Sequence, residues 1–271
     1  MPHDERAAWD EMASEYHSES ITPFAHEVEF RFESDLEEVI ENWSNREDVR
    51  RVVDFGCGPG DSLTPVLTRT NSAHVAGFDF SPLMLERAAM SVRHRGRTVQ
   101  STTADDFLSR SAAAAETTPV GLIEGDLREL ESFAGRLDLA LSINSICPST
   151  PSDAQVIFDG IAQSLRPGGV GIYVVPAFDS TEYLFELAEK YGDELDLGEI
   201  DREAGTLVYE SGEPQKHLTA TELERFCSAS EVEIENLSKV EYPWPLMREA
   251  GWGDYPSEPP LWDWYLRVRR G

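Results

Sequence analysis

Val52-Val53-Asp54-Phe55-Gly56-Cys57-Gly58-Pro59-Gly60-Asp61 carries more structural information than any other stretch of this chain. The apolar run from Arg51 to Phe55, with an acid inside it, predicts a buried strand. Gly56, Gly58 and Gly60 follow. They let the backbone turn sharply and leave room for a ligand where a Cβ would clash. A helix is expected from Asp61, its free N–H groups facing whatever lies over the turn. A phosphate-cradling loop would close on a Lys and a Ser/Thr. None stands here, and the chain's lysines are Lys190, Lys216 and Lys239. A dinucleotide loop reads G-x-G-x-x-G, whereas this one reads G-x-G-x-G with an acid two residues before the first Gly. Asp54 would repel a pyrophosphate and attract a ligand that carries cations and no phosphate. A glycine-rich turn with no ligand is the competing reading.

At 271 residues the chain is long enough for one large α/β domain with additions, or for two small domains. No run of about 18 apolar residues suggests a membrane span. The charged start, Met1 to Arg6, lacks the apolar core of a signal peptide, so a cytoplasmic protein is expected. Acids outnumber bases 51 to 23, giving a formal net charge of −28 spread along the whole chain. An evenly acidic, lysine-poor surface resembles that of halophilic cytoplasmic proteins, where salt screens the self-repulsion; an acidic mesophilic enzyme is the alternative. Either way, binding to a nucleic-acid backbone is disfavoured. Cys57, Cys147 and Cys227 are far apart and form no C-x-x-C, which argues against a disulfide framework or a zinc site; no other metal-ligand cluster appears.

Along the chain, residues 4–18 suggest an amphipathic helix carrying Trp9, Met12 and Tyr16. Thr22-Pro23 then opens a long helix to about Trp43, with Val28, Phe32, Leu36, Val39, Ile40 and Trp43 on one face. After a helix over 61–70, a second strand runs from Ala73 to Phe80. One strand–helix–strand unit of this length sets Asp79 at the carboxyl end of the strand beside the glycine turn, where its carboxylate can accept from ribose hydroxyls. Ser81 and Pro82 fit the cap and first position of the next helix. Residues 97–119 are small and polar and suggest a surface insertion, with a helical turn near Asp105–Arg110. Strands follow at Val120–Glu124, Leu137–Asn144 and Val170–Pro176, with a helix from Asp153 to Leu165 before the last of them. The remainder suggests a helix over 180–191, an exposed acidic run from Gly192 to Asp201, an added strand at Leu207-Val208-Tyr209, and a helix capped by Thr219. Two final strands are expected at Glu231–Tyr242 and Trp262–Arg269. The aromatic tail (Tyr242, Trp244, Trp252, Tyr255, Trp262, Trp264) reads either as a water-excluding wall of an acceptor pocket or as a rigid segment completing the core.

The string Asp54 to Gly60 resembles motif I of the class I S-adenosylmethionine (SAM)-dependent methyltransferases. Phe78-Asp79-Phe80-Ser81-Pro82-Leu83-Met84 resembles their motif II region, Leu165 to Val170 their turn into strand five, and Trp9 to His17 the N-terminal lead of many small-molecule members. The resemblance spans about residues 50–176. It implies a Rossmann-like α/β fold: a seven-stranded, mostly parallel sheet in the order 3-2-1-4-5-7-6, strand 7 antiparallel, with helices on both faces. A helical cap over 1–45 would precede the methyltransferase domain at 46–271, with acceptor-side elements and the last two strands in 177–271. It also implies SAM as cofactor. The residues expected to hold it are Asp54, Gly56, Cys57 (packing rather than a nucleophile), Gly58, Gly60, Asp79, Phe80 and Met84. Asp126 would accept from the adenine amino group, the backbone N–H of Leu127 would meet a ring nitrogen, and Asn144 would face the methionine end. The acceptor is expected to be a small molecule. The Asn/Asp-Pro-Pro-aromatic loop of enzymes acting on nucleobases or glutamine is missing after Asn144. Candidates for a general base are His17 and His217, with Tyr16 and Tyr209 as orienting groups, and no motif fixes their roles. Two other classes stay open: a SAM-binding protein without transfer activity, and an aminopropyl-type transferase, which would want carboxylates where Asn144-Ser145 stand.

Overall fold

A computed structural model of the chain describes residues 6, 9, 10, 13, 27–41, 50–69, 73–110, 118–195, 197–209, 212–249 and 251–271. Helix α1 (Glu27–Glu41) leads into β1 (Arg50–Phe55), α2 (Leu63–Arg69), β2 (Ala73–Asp79), α3 (Pro82–His94) and β3 (Val99–Ser101). A short α4 (Ala104–Leu108), β4 (Val120–Glu124), β5 (Leu137–Ile143), α5 (Pro151–Ser164) and β6 (Leu165–Pro176) follow. Then come α6 (Phe178–Tyr191), β7 (Glu199–Asp201), β8 (Thr206–Val208), β9 (Pro214–Lys216), α7 (Ala220–Ala229), β10 (Val232–Tyr242), α8 (Trp244–Glu249) and β11 (Leu261–Arg270).

The main sheet runs β10-β11-β6-β5-β1-β2-β4-β3. In this sheet β11 runs against the other strands, pairing antiparallel with β6 on one side and with β10 on the other. Seven of these strands reproduce the expected order. The eighth, β3, corrects the seven-strand expectation. It lies in the segment read as a surface insertion, and Val99, Gln100 and Ser101 pair in parallel with Val120, Gly121 and Leu122. Three residues are too few for a periodic signal, so the strand comes from the neighbour it pairs with. The run read as exposed from Gly192 to Asp201 ends in β7, and β7-β8-β9 form a second, antiparallel sheet where one added strand was expected.

Alternation along the central strands builds two cores. Val52, Val75, Leu139, Leu141 and Ile172 face one side with Phe32, Leu36 and Val39 of α1, Leu63 and Val66 of α2, and Ala88 and Val92 of α3. Val53, Phe55, Ala76, Ala140 and Tyr173 face the other with Phe107 of α4, Ile157 and Phe158 of α5, and Leu223 and Phe226 of α7. A strand covered on both faces reads as a near-continuous apolar run, and Val170–Val175 of β6 does. Helix ends follow the sequence: Ser81 Oγ accepts from the Met84 N–H at 3.1 Å with Pro82 at the first helical position, and Thr219 forms a reciprocal capping box with Glu222. On the first face, Arg267 of β11 ties α1 to the sheet. Its guanidinium donates to Asp35 (2.9 Å) and Glu38 (2.8 and 2.9 Å) on α1, and to Glu235 on β10 (2.7 Å). Three carboxylates around one buried arginine satisfy its planar fork of donors.

The aromatic tail belongs to the core. Trp244, Tyr242 and Tyr255 are buried in the first cluster, with Trp244 and Tyr255 edge to face at 5.0 Å. Trp262 and Trp264 lie half-buried on β11, with the Lys239 ammonium 3.3 Å from the centre of the Trp262 ring. None of these aromatic residues lines the cleft described next.

Candidate active site

The carboxyl ends of β1, β2, β4 and β5 meet at one cleft, where an open parallel sheet binds ligands. It encloses about 1050 Å³ counted out to its open mouth. The glycine turn is its floor. Gly56, Gly58 and Gly60 take φ of +69°, +49° and +90°, backbone that only glycine adopts without strain. The Gly56 and Cys57 N–H groups donate to the Phe78 carbonyl at 2.7 and 3.0 Å, pinning the turn to the end of β2.

Asp79 organises this side. Its Oδ2 accepts from the Gly58 N–H and its Oδ1 from the Ser81 N–H, each at 2.9 Å, so one carboxylate joins the glycine turn to the start of α3. Burial pushes its pKa up against the pull of these backbone N–H groups. Across the turn, Asn144 follows β5 in the left-handed region, with φ of +50°, and Ser145 donates to the Phe55 carbonyl at 2.8 Å. At a third point, Asp126 accepts from the Arg128 backbone N–H (2.9 Å) and side chain (2.8 to 3.1 Å), which holds its pKa below the usual carboxylate range.

Of the residues expected around the cofactor, Gly56, Gly58, Asp79, Phe80, Met84, Asp126, Leu127 and Asn144 line this cleft. Asp54, Cys57 and Gly60 do not. Asp54 is buried behind the turn and accepts from the Ser62 hydroxyl. Burial first, and then the nearby Asp79 and Asp61 charges, push its pKa to about 7. Cys57 is buried, and its sulfur lies 2.7 Å from where a Cβ on Gly77 would sit. Gly60 packs against Ala88 of α3.

The general-base candidates fare differently. Tyr16 and His17 lie outside the described residues. His217 is buried away from the cleft, and its Nδ1 shares a 2.7 Å hydrogen bond with Thr181 Oγ1. Desolvation, helped by the neighbouring Lys216 charge, lowers its pKa to about 4, so it is neutral at pH 7 and packs as a core residue. Tyr209 lies off the cleft lining, with its hydroxyl 3.3 Å from Gln215 Oε1. The unfolded chain takes a proton on this histidine near pH 6.5 and the folded chain only near 4. Its contribution to stability is therefore complete above about pH 6.5 and is lost as the pH falls through 4, on the order of 3 kcal/mol. Substituting His217→Gln is expected to remove that component and spare catalysis. Urea unfolding of both proteins across this window should show their difference in stability changing by that amount. A difference constant with pH, or lost turnover, would contradict the assignment.

Several lining residues went unread in the sequence. Glu213, Pro214 and Gln215 reach the cleft because β9 docks on the loop after β5, the Lys216 N–H donating to the Pro148 carbonyl at 2.8 Å. The Gly212-Glu213-Pro214 turn signal was visible, its distant partner was not. Trp9, Ile157 and Arg128 also line the cleft.

Compared with known proteins, residues 24–237 match the family described as "Methyltransferase domain". The chain belongs to this methyltransferase family. Trans-aconitate 2-methyltransferase from Enterobacter sp. (strain 638) is 46% identical over 46 residues, which span 17% of this chain and 18% of that protein. The PH0226 protein of Pyrococcus horikoshii OT3 shares the fold of this methyltransferase domain with a TM-score of 0.58 at 19% identity, over 92% of this chain and 94% of the other. Geranyl diphosphate C-methyltransferase of Streptomyces coelicolor A3(2), solved with S-adenosyl-L-homocysteine, shares it with a TM-score of 0.53 at 11% identity, over 88% of this chain and 76% of its own. Among the described residues of the methyltransferase domain, no helix is long and apolar enough to cross a membrane.

Proposed function

We propose that this chain transfers a methyl group from S-adenosylmethionine to a small-molecule acceptor in the cytoplasm. The observation that carries the reading is Asp79: a carboxylate fixed by two backbone N–H groups at the edge of a glycine turn, inside the cleft of a methyltransferase domain. The cleft's groups fit the cofactor. Asp79 has lone pairs left for the ribose hydroxyls. Phe80, Met84 and Leu127 offer apolar faces for the adenine, Asp126 an acceptor for its amino group, and Gly56 and Gly58 backbone free of side chains. Asn144 stands at the methionine end. Asp54, Cys57 and Gly60 support the turn from behind. Among the described residues before position 46, α1 packs on the first face of the sheet and Trp9 reaches the cleft wall, which supports an N-terminal cap on a domain formed by 46–271.

S-adenosylmethionine supplies an electrophilic methyl on a sulfonium. The protein's part is to hold the acceptor in line and exclude water. Cys147, Pro148, Ser149, Glu213 and Gln215 bound the space next to Asn144. The cleft's carboxylates are Asp79, Asp126 and Glu213, and its one cationic side chain among the described residues, Arg128, is already bound to Asp126. This charge favours a neutral or cationic acceptor over a tricarboxylate or a diphosphate. The acidic, lysine-poor surface suits a protein working in concentrated salt.

Calorimetric titration with SAM and with NAD, in low and in molar salt, tests the cofactor. Binding of SAM and not of NAD is expected. A folded protein that binds neither, or that binds NAD, would overturn the reading.

A further inference from the structure

Strand β1 lies between β2 and β5, so the glycine turn has two flanks. Asp79 ends β2 on one flank and Asn144 follows β5 on the other. The Asn144 side chain is tethered from beneath. Its Nδ2 donates to Asp263 Oδ2 of β11 at 3.2 Å, and the same oxygen accepts from the Tyr242 hydroxyl of β10 at 2.6 Å. The Ala177 backbone N–H also donates to Asp263. With Nδ2 engaged, the amide orientation is set. Its Oδ1 is shut off from solvent and has no partner, at a residue that lines the cleft. A buried amide oxygen left unpaired is costly, and native structures leave few of them.

We infer that Asp263 is a positioning residue: it holds Asn144 at the far flank of the cleft, beside the ammonium of the cofactor's amino-acid arm, and it supplies negative charge behind that contact. The inference rests on the cofactor reading proposed above. The adenosine hydroxyls are accounted for on the Asp79 flank, which leaves the far flank for the arm that carries the cation. The fold also holds Asp263 at a cost. Desolvation pushes its pKa up to about 6 although three donors stabilise its charged form. A cation arriving above Asn144 offsets that cost, whereas a neutral group would not. The left-handed backbone of Asn144 sets the same geometry, since an asparagine there accepts local strain to keep its side chain in place.

Two probes separate this role from a general structural one. S-adenosylhomocysteine carries the amino-acid arm, and 5′-methylthioadenosine keeps the adenosine and sulfur without it. Calorimetric titration of the full chain is expected to show Asp263→Asn weakening S-adenosylhomocysteine by about tenfold while 5′-methylthioadenosine stays within about twofold. Asn144→Gly, which suits the left-handed backbone, should show the same selective loss, and the double variant should be no worse than Asn144→Gly alone. Equal weakening of both probes, or unchanged S-adenosylhomocysteine affinity in Asp263→Asn, overturns the inference and leaves the cofactor reading standing. Wild-type protein that binds neither probe overturns both.

Discussion

Gly56→Ala is expected to slow methyl transfer by roughly a hundredfold while leaving a folded, less stable protein. Two costs coincide at this position. The φ of +69° charges any L-residue about 1–2 kcal/mol. A Cβ there would also stand 2.3 Å from Ser145 Cβ, so one of the two segments must move. Ser145 is not at liberty to yield, because its hydroxyl is bonded to the Phe55 carbonyl at 2.8 Å and lies 2.7 Å from Ser142 Oγ. The loop from Asn144 to Ser149 would shift as a unit, and with it the far flank of the cleft. Displacements of about 1 Å in such a site cost roughly a hundredfold in rate, and overpacking adds about 1–3 kcal/mol to the loss of stability. Gly96→Ala is the control, since Gly96 has the same kind of backbone (φ +75°) with nothing within 4 Å of its added Cβ. Urea unfolding should show a larger loss for Gly56→Ala than for Gly96→Ala, and turnover should fall only in the former. Equal behaviour of the two variants would mean that the contact with Ser145 carries no weight.

Asp79→Ala should weaken SAM binding by a factor of roughly ten to a hundred and fifty, the equivalent of about 1.5–3 kcal/mol for hydrogen bonds to a charged group. The carboxylate does two jobs at once. It would hold the ribose, and it satisfies the N–H groups of Gly58 and Ser81, which alanine leaves facing a void. Asp79→Asn separates these roles. It removes a buried charge, which by itself favours the ligand-free fold, yet one of its two polar ends is now a donor facing a donor. We expect near wild-type stability with clearly reduced affinity for Asp79→Asn, and losses in both for Asp79→Ala. Thermal unfolding and calorimetric titration of the same samples would report this, and wild-type affinity in either variant would remove Asp79 from the site.

The cofactor half was legible because its signals are local. Val52 to Gly60, Asp79 with Ser81-Pro82, and Leu165 to Gly169 each carry turn or cap chemistry within a few residues of the strand they end or begin. The same locality explains the misreadings. Asp54 looked like a ligand group because it precedes the turn, but an acid inside a β1 covered on both faces ends up behind the floor, bonded to Ser62. His217 was a candidate base with no motif behind it, and a lone histidine is more often a packing residue; its burial beside Thr181 depends on how α6 and the segment after β9 pack, which no single window of sequence reports. Glu213 to Gln215 and the Asn144–Asp263–Tyr242 cluster join residues far apart in the chain. Their meeting is a product of sheet order, and the order of the last two strands came from resemblance alone.

The two borders of the main sheet differ in how they end it. On one side β3 offers three residues, too short a ledge for another chain to grip. On the other, β10 runs for eleven residues, but its exposed positions include Glu233, Glu235, Lys239 and Glu241, and its pairing with β11 is irregular between Ile234 and Asn236. A second copy presenting this same border would set glutamate against glutamate. In a chain of net charge −28, these exposed glutamates work locally as a barrier to ribbon-like stacking, and they keep eight strands from becoming the seed of sixteen.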